Sequence, residues 1–165
     1  MDPAYSIVPL INEAAVDKVE RQVRDAIDKG AALLAGGARL TDSGVDKGCF
    51  YDATVLTDVS PDMLIYREET FGPIAAVVPF DDEDDVIAMA NDTHYGLAAY
   101  VYTQNLARAL RAFEQLQFGI IGINDINPTS AAAPFGGMKE SGLGREGARE
   151  GIEEYLETKL GGFSI

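Results

Sequence analysis

Ile74-Ala75-Ala76-Val77-Val78-Pro79-Phe80 is an unbroken apolar run, the pattern of a strand buried on both faces. The next residues, Asp81 to Asp85, place acidic side chains at the start of a helix running through Ala90. The helix dipole favours negative charge there, so the run reads as a capped, solvated helix start and not as a metal site. Leu97 to Tyr102 is the next strand. Asn105 then caps a helix whose Leu106, Ala109, Leu110 and Phe113 line one face. Gly119-Ile120-Ile121-Gly122-Ile123-Asn124 is a further buried strand. Strands alternating with helices predict an α/β layer structure with a largely parallel sheet and flanking helices.

Working backward, Asn12 to Lys29 reads as a helix. Val16, Val19, Val23 and Ile27 recur at spacings of three and four, Asn12 can cap, and Gly30 suits the left-handed stop. Ala31 to Ala35 is a short strand closed by Gly36-Gly37. Thr41 to Gly48 is polar and glycine-bearing, hence a loop, and Tyr51 to Val59 is extended up to the punctuation of Pro61. Working forward, Asp125 to Gly144 is a long loop rich in Pro, Ala and Gly; loops of that length tend to be functional. A last helix carries Ile152, Tyr155 and Leu156, and Thr158 to Ile165 is an extended tail.

A chain of 165 residues suffices for one domain with a core. Its 47% hydrophobic and 24% charged residues are those of a globular protein. No apolar run approaches the ~20 residues that span a bilayer. Met1-Asp2-Pro3-Ala4-Tyr5 shows no basic region leading into an apolar stretch, so no secretory signal is expected. A single cysteine cannot form an internal disulfide, which fits a reducing compartment, and the cytoplasm is the expected location. With 27 acidic against 13 basic residues and a net charge of −14, the surface repels phosphate backbones and anionic lipid. Nucleic-acid and membrane binding are therefore not expected.

Four features of the sequence bear on chemistry. Cys49 follows Lys47-Gly48 in a turn leading into a strand, without the cation or helix N-terminus that lowers a nucleophile's pKa; it reads as a semi-buried bystander. Gly142-Leu143-Gly144-Arg145-Glu146-Gly147 fits G-x-G-x-x-G but follows a loop instead of a strand. Too few residues remain after it for a strand–helix–strand unit, so its glycines are turn residues. His94, the only histidine, has no cysteine partners for a zinc site and reads as a surface residue. Glu68 and Glu69 are adjacent, so an extended backbone points them to opposite sides, and the residues alone do not say which faces a cleft.

Glu68-Glu69-Thr70-Phe71-Gly72-Pro73 and Pro134-Phe135-Gly136-Gly137-Met138-Lys139-Glu140-Ser141-Gly142 together resemble segments of the NAD(P)-dependent aldehyde dehydrogenase superfamily. The likeness runs from Pro9-Leu10-Ile11-Asn12 to Thr158-Lys159. It is closest to succinate-semialdehyde dehydrogenases, through Asn91 to Leu97, Pro134 to Gly147 and Gly151 to Glu157. The resemblance implies the C-terminal part of that family's catalytic domain over residues 1–157. It further implies an oligomerisation strand over residues 158–165, by which the chain would form a homo-oligomer. It implies that Glu69 accepts hydrogen bonds from the nicotinamide ribose of NAD or NADP and that Phe71 lies near the nicotinamide. Two acceptor oxygens suit two vicinal hydroxyls. Thr129 or Ser130 would hold the far carboxylate of the aldehyde substrate, and Phe135 would stand near the substrate entrance.

The loop Asn127-Pro128-Thr129-Ser130-Ala131-Ala132-Ala133 departs from the commoner family pattern, which leaves the aldehyde open. No segment resembles the family's nucleophilic cysteine, so no catalytic residue is assigned in this chain and none is assigned to a metal. The resemblance places the cysteine, the general-base glutamate and the nucleotide-binding domain N-terminal to residue 1. An isolated chain without turnover is expected. The competing readings are a non-catalytic assembly module and a degenerate gene product.

Overall fold

The first helix supplies the centre of the core among the described residues before residue 80. In the computed structural model, which describes residues 8–40 and 48–165, α1 spans Glu13–Asp28 and Asn12 Oδ1 accepts from Ala15 N at 2.9 Å. Gly30 ends it at φ +103°. The predicted stripe is the buried one for Val16, Val19 and Val23, whereas Ile27 is half-exposed. These valines pack with Tyr51, Leu56, Met63 and Ile65 in a core that Leu10, Cys49 and Ile74 border. The predicted loop at 41–48 lies outside the described residues up to residue 47.

The residues divide into two compact units, Met1–Phe80 and Asp81–Ile165. In the first, β1 (Ala32–Ala35), β2 (Thr54–Thr57) and β3 (Ile74–Ala76) form a sheet in the order β1-β2-β3. β1 runs antiparallel to β2, and β2 parallel to β3. A short helix α2 (Leu64–Arg67) lies between β2 and β3 in sequence. In the second unit, α3 (Glu83–Asn91) is capped by Asp82, whose carboxylate accepts from Asp84 N and Asp85 N. This is the expected use of the acidic run. β4 (Ala98–Val101) pairs parallel with β5 (Ile120–Ile123), and α4 (Leu106–Gln115) joins them, capped by Asn105. A 3-10 turn at Lys139–Ser141 and the four-residue α5 (Glu150–Glu153) follow.

The α/β character stands, but the single, largely parallel sheet is corrected to a mixed three-stranded sheet and a separate parallel pair. The antiparallel step has a local cause. A parallel pair needs a crossover connection, usually a helix, and the described residues between Ala35 and Thr54 contain none. Residues 158–165 pair with no strand within this chain and are exposed throughout. The run Ile74 to Phe80 pairs over three residues only, and Ala75, Ala76 and Val77 are exposed.

Apolar surface is left uncovered on a large scale. Leu106, Leu110 and Phe113, the predicted inner face of α4, are all more than half exposed, while its Ala112 is buried. Among the described residues no helix is long and apolar enough to cross a membrane.

Candidate functional site

Successive turns of α1 hold the segment from Asp62 to Gly72 in place. Lys29 Nζ donates to Asp62 O at 2.6 Å, and the Asp25 carboxylate accepts from Leu64 N at 2.7 Å. That bond, with Lys29 beside it, holds the Asp25 carboxyl below the usual range. One turn back, Arg21 Nη2 donates to Glu68 Oε2 at 2.6 Å and Gln22 Nε2 to the same oxygen at 3.4 Å. A further turn back, Val19 leaves no room beside Gly72, where a Cβ would lie 2.6 Å from Val19 Cγ2. Beyond it, Pro73 O accepts from Thr54 N at 2.9 Å. The chain is thus pinned on both sides of Glu69 and Phe71.

Between these anchors the adjacent glutamates do point apart. Glu68 pairs with Arg21 in a half-exposed ion pair, and Glu69 is exposed, with no hydrogen bond or ion pair among the described residues. Phe71 sits at φ +50° and is 81% exposed. A bulky residue held in the left-handed region carries a cost of order 1–3 kcal/mol, here without packing of the ring in return. The Arg21 guanidinium holds the Glu68 carboxyl below its ordinary value. A depressed native pKa stabilises above the unfolded value of about 4.3 and is lost as the pH falls through the native one. Glu68→Gln is therefore expected to lower the Tm by a few degrees at most at pH 7, since the pair is half in water. The deficit should shrink toward zero in scans below about pH 4.

Thr129, Ser130 and Phe135 belong to the second unit. Thr129 Oγ1 donates to Asn127 Oδ1 at 2.9 Å, so that hydroxyl is already engaged. Ser130 is exposed, its carbonyl accepts from Ala133 N at 3.0 Å, and its hydroxyl has no partner among the described residues. Phe135 exchanges two backbone hydrogen bonds of 2.7 Å with Glu146. It borders an open cleft of about 660 Å³ together with Arg145, Glu154 and Tyr155; neither Thr129 nor Ser130 lines that cleft. Arg145 Nη1 donates to Gly137 O at 2.9 Å and Gly144 O at 2.5 Å, so the guanidinium braces the glycine loop. Gly142, Gly144 and Gly147 all have positive φ, which fits turn residues rather than a dinucleotide cradle.

Cys49 is half-buried beside the core, and its Sγ donates to Glu13 Oε1 at 3.6 Å. Desolvation first, then the Glu13 charge, push its thiol pKa up. His94 is exposed, with Nδ1 3.7 Å from Glu140 Oε1. Among the described residues no group of His, Cys, Asp or Glu is disposed to hold a metal. Sequence reasoning missed Arg21, Gln22 and Arg145 as the groups that position the candidate residues. The only local signal for them was glycine, at Gly72 and in the pair Gly136-Gly137.

The aldehyde dehydrogenase family profile matches residues 1–160. A probable succinate-semialdehyde dehydrogenase [NADP(+)] of Sinorhizobium fredii is 51% identical over 158 residues, covering 96% of this chain and 31% of the relative. A 3-sulfolactaldehyde dehydrogenase of Pseudomonas putida is 49% identical over 157 residues, covering 93% and 32%. The crystal structure of betaine aldehyde dehydrogenase from Staphylococcus aureus in complex with NAD+ superposes with a TM-score of 0.88 at 38% identity, covering 96% of this chain and 32% of that one. The chain therefore spans about a third of the length of its relatives. The expected assignment to the C-terminal part of the catalytic domain is corrected accordingly. The match takes in residues 1–160 from the first residue onward, and it shows an α/β span of about a third of the family's length.

Proposed function

This chain belongs to the aldehyde dehydrogenase family, and on that premise we propose that it supplies part of the cofactor and substrate contacts of an enzyme oxidising succinate semialdehyde with NAD or NADP. The observation that carries the reading is the presentation of Glu69 and Phe71. An unpartnered carboxylate and a bare aromatic ring project from a segment pinned at Glu68 and Gly72. Unpaired acceptor oxygens fit vicinal ribose hydroxyls, and an uncovered ring fits the face of a nicotinamide. When bound, the nicotinamide cofactor supplies the hydride acceptor for aldehyde oxidation. Glu69 orients it by accepting two hydrogen bonds, and Phe71 limits where its ring can lie.

For the substrate, Ser130 is the better of the two hydroxyls, since Thr129 already donates to Asn127. The S. fredii and P. putida relatives carry names of aldehydes that end in an anionic group. A serine O–H donor suits a carboxylate or sulfonate without relying on long-range attraction, which a net charge of −14 opposes. The cytoplasm is the compartment this reading keeps.

The test is a chimera in which this chain replaces the matching third of the S. fredii relative. Glu69→Gln should raise KM for the nucleotide about tenfold or more, as expected for a charged hydrogen bond worth roughly 1.5–3 kcal/mol. Ser130→Ala should raise KM for succinate semialdehyde and leave butanal unchanged. Constants within twofold of the parent for both variants would sink the reading.

A further inference from the structure

Acidic side chains outnumber basic ones by 27 to 13, and the ion pairs show where the excess is left. Arg39 alone serves three acids of α1: its Nη1 lies 3.1 Å from Glu13 and its Nε 3.1 Å from Glu20, while Nη2 pairs with Asp17. These three share one helix face at spacings of four and three, where neighbouring side chains stand about 5–6 Å apart. In the second unit Arg108 and Arg111 both close on Glu83, at 3.0 and 2.7 Å. Asp81, Asp82, Asp84 and Asp85 around it are exposed and form no ion pair among the described residues. Around α5, Arg149 pairs with Glu153 at 3.4 Å, whereas the exposed Glu150, Glu154 and Glu157 pair with nothing described. Two further cations are engaged by backbone carbonyls instead of carboxylates: Lys139 by Asn91 and Thr93, and Arg145 by Gly137 and Gly144.

We propose that the folded state of this chain is built for a medium of molar monovalent salt, and that its unpaired carboxylates make its stability a switch on ionic strength. The sign follows from the excess. Salt screens attraction and repulsion alike, so it stabilises only where repulsion dominates. A net charge of −14 destabilises the compact state through self-repulsion. The acids of α3 and α5 lie within a turn or two of one another, a spacing at which like charges oppose the helix. The Debye length is about 10 Å at 0.1 M and about 3 Å at 1 M. Carboxylates one helical turn apart therefore repel in dilute buffer and are hidden from one another in molar salt. The effect is screening and needs no bound cation. It depends neither on the cofactor nor on the aldehyde, so it stands apart from the roles of Glu69, Phe71 and Ser130.

The experiment follows thermal unfolding of the full 165-residue chain by circular dichroism in KCl from about 0.05 to 2 M. The Tm should rise by about 10 °C or more, with most of the rise complete by about 1 M, where the Debye length falls below the charge spacing. Sucrose at matched osmolality strengthens burial without screening and should give less than half of that rise. A variant carrying Asp81→Asn, Asp84→Asn, Asp85→Asn, Glu150→Gln, Glu154→Gln and Glu157→Gln takes the net charge from −14 to −8, one unit for each of the six acids. It leaves the cap Asp82 in place. In dilute buffer it should melt above the parent, and its salt response should be less than half of the parent's. A Tm that falls with salt or stays within about 2 °C, a rise that sucrose reproduces, or a neutralised variant as salt-dependent as the parent would each overturn the proposal. So would a chain that shows no cooperative transition at any salt concentration.

Discussion

The isolated chain is expected to produce no NAD(P)H from succinate semialdehyde above a mock purification, and Cys49→Ser is expected to change nothing. Aldehyde oxidation through a covalent thiohemiacetal needs a thiolate, oxyanion donors and an oriented cofactor together. The one thiol in the sequence is Cys49. A free cysteine with a pKa near 8.5 is only a few per cent thiolate at neutral pH. Cys49 falls short of that, because partial burial and the Glu13 carboxylate 3.6 Å away both disfavour its anion. Arg39 opposes the shift but already pairs with Glu13, Asp17 and Glu20. Alkylation of Cys49 by iodoacetamide at pH 7 should accordingly be slower than that of an unstructured cysteine peptide. Turnover that survives Cys49→Ser would mean that chemistry of another kind resides in this chain. Turnover abolished by that substitution would make Cys49 a nucleophile despite its surroundings.

What was legible in the sequence was local. The cap at Asn12, the valine stripe of α1 and the stop at Gly30 involve neighbours within a turn or two, and all three are found. The alternation that sends Glu68 and Glu69 apart is equally local. Which of them faces outward is decided by Arg21, 47 residues away in sequence, so the pair alone was mute. The run from Ile74 to Phe80 illustrates the opposite limit. Its apolar content predicts burial on both faces, yet burial depends on what lies across from it, and five of its seven residues are exposed. The same holds for α4, whose amphipathic period predicts an inner face at Leu106, Leu110 and Phe113 that stands exposed. In both places the residues specify a surface suited to being covered, and this chain does not itself cover it.

The second large effect concerns the seat of the Phe135 loop. Gly96 N donates to Ser141 Oγ at 2.9 Å, and Gly96 O accepts from Met138 N and from Gly119 N at 2.9 Å each. The loop thereby lies against the backbone that leads into β4 and β5. A Cβ at Gly119 would fall 1.8 Å from Gly136 O and 2.8 Å from Gly136 C. Those are backbone atoms, so no side chain can swing away, and either the loop lifts or β5 shifts. Overpacking of this kind costs about 3 kcal/mol or more. For a unit of this size that is a fall of roughly 10–20 °C in Tm. Gly119→Ala should show it in thermal unfolding followed by circular dichroism. Gly162→Ala, where nothing lies within 4 Å, should stay within about 0.5 kcal/mol of the parent. In the chimera, Gly119→Ala should also raise KM for the aldehyde, because displacing Gly136 displaces Phe135 beside it. A Gly119→Ala chain as stable as the Gly162→Ala control would mean that the loop is not seated on Gly119. The bonds at Gly96, with those of Lys139 Nζ to Asn91 O and Thr93 O, would then be what holds it.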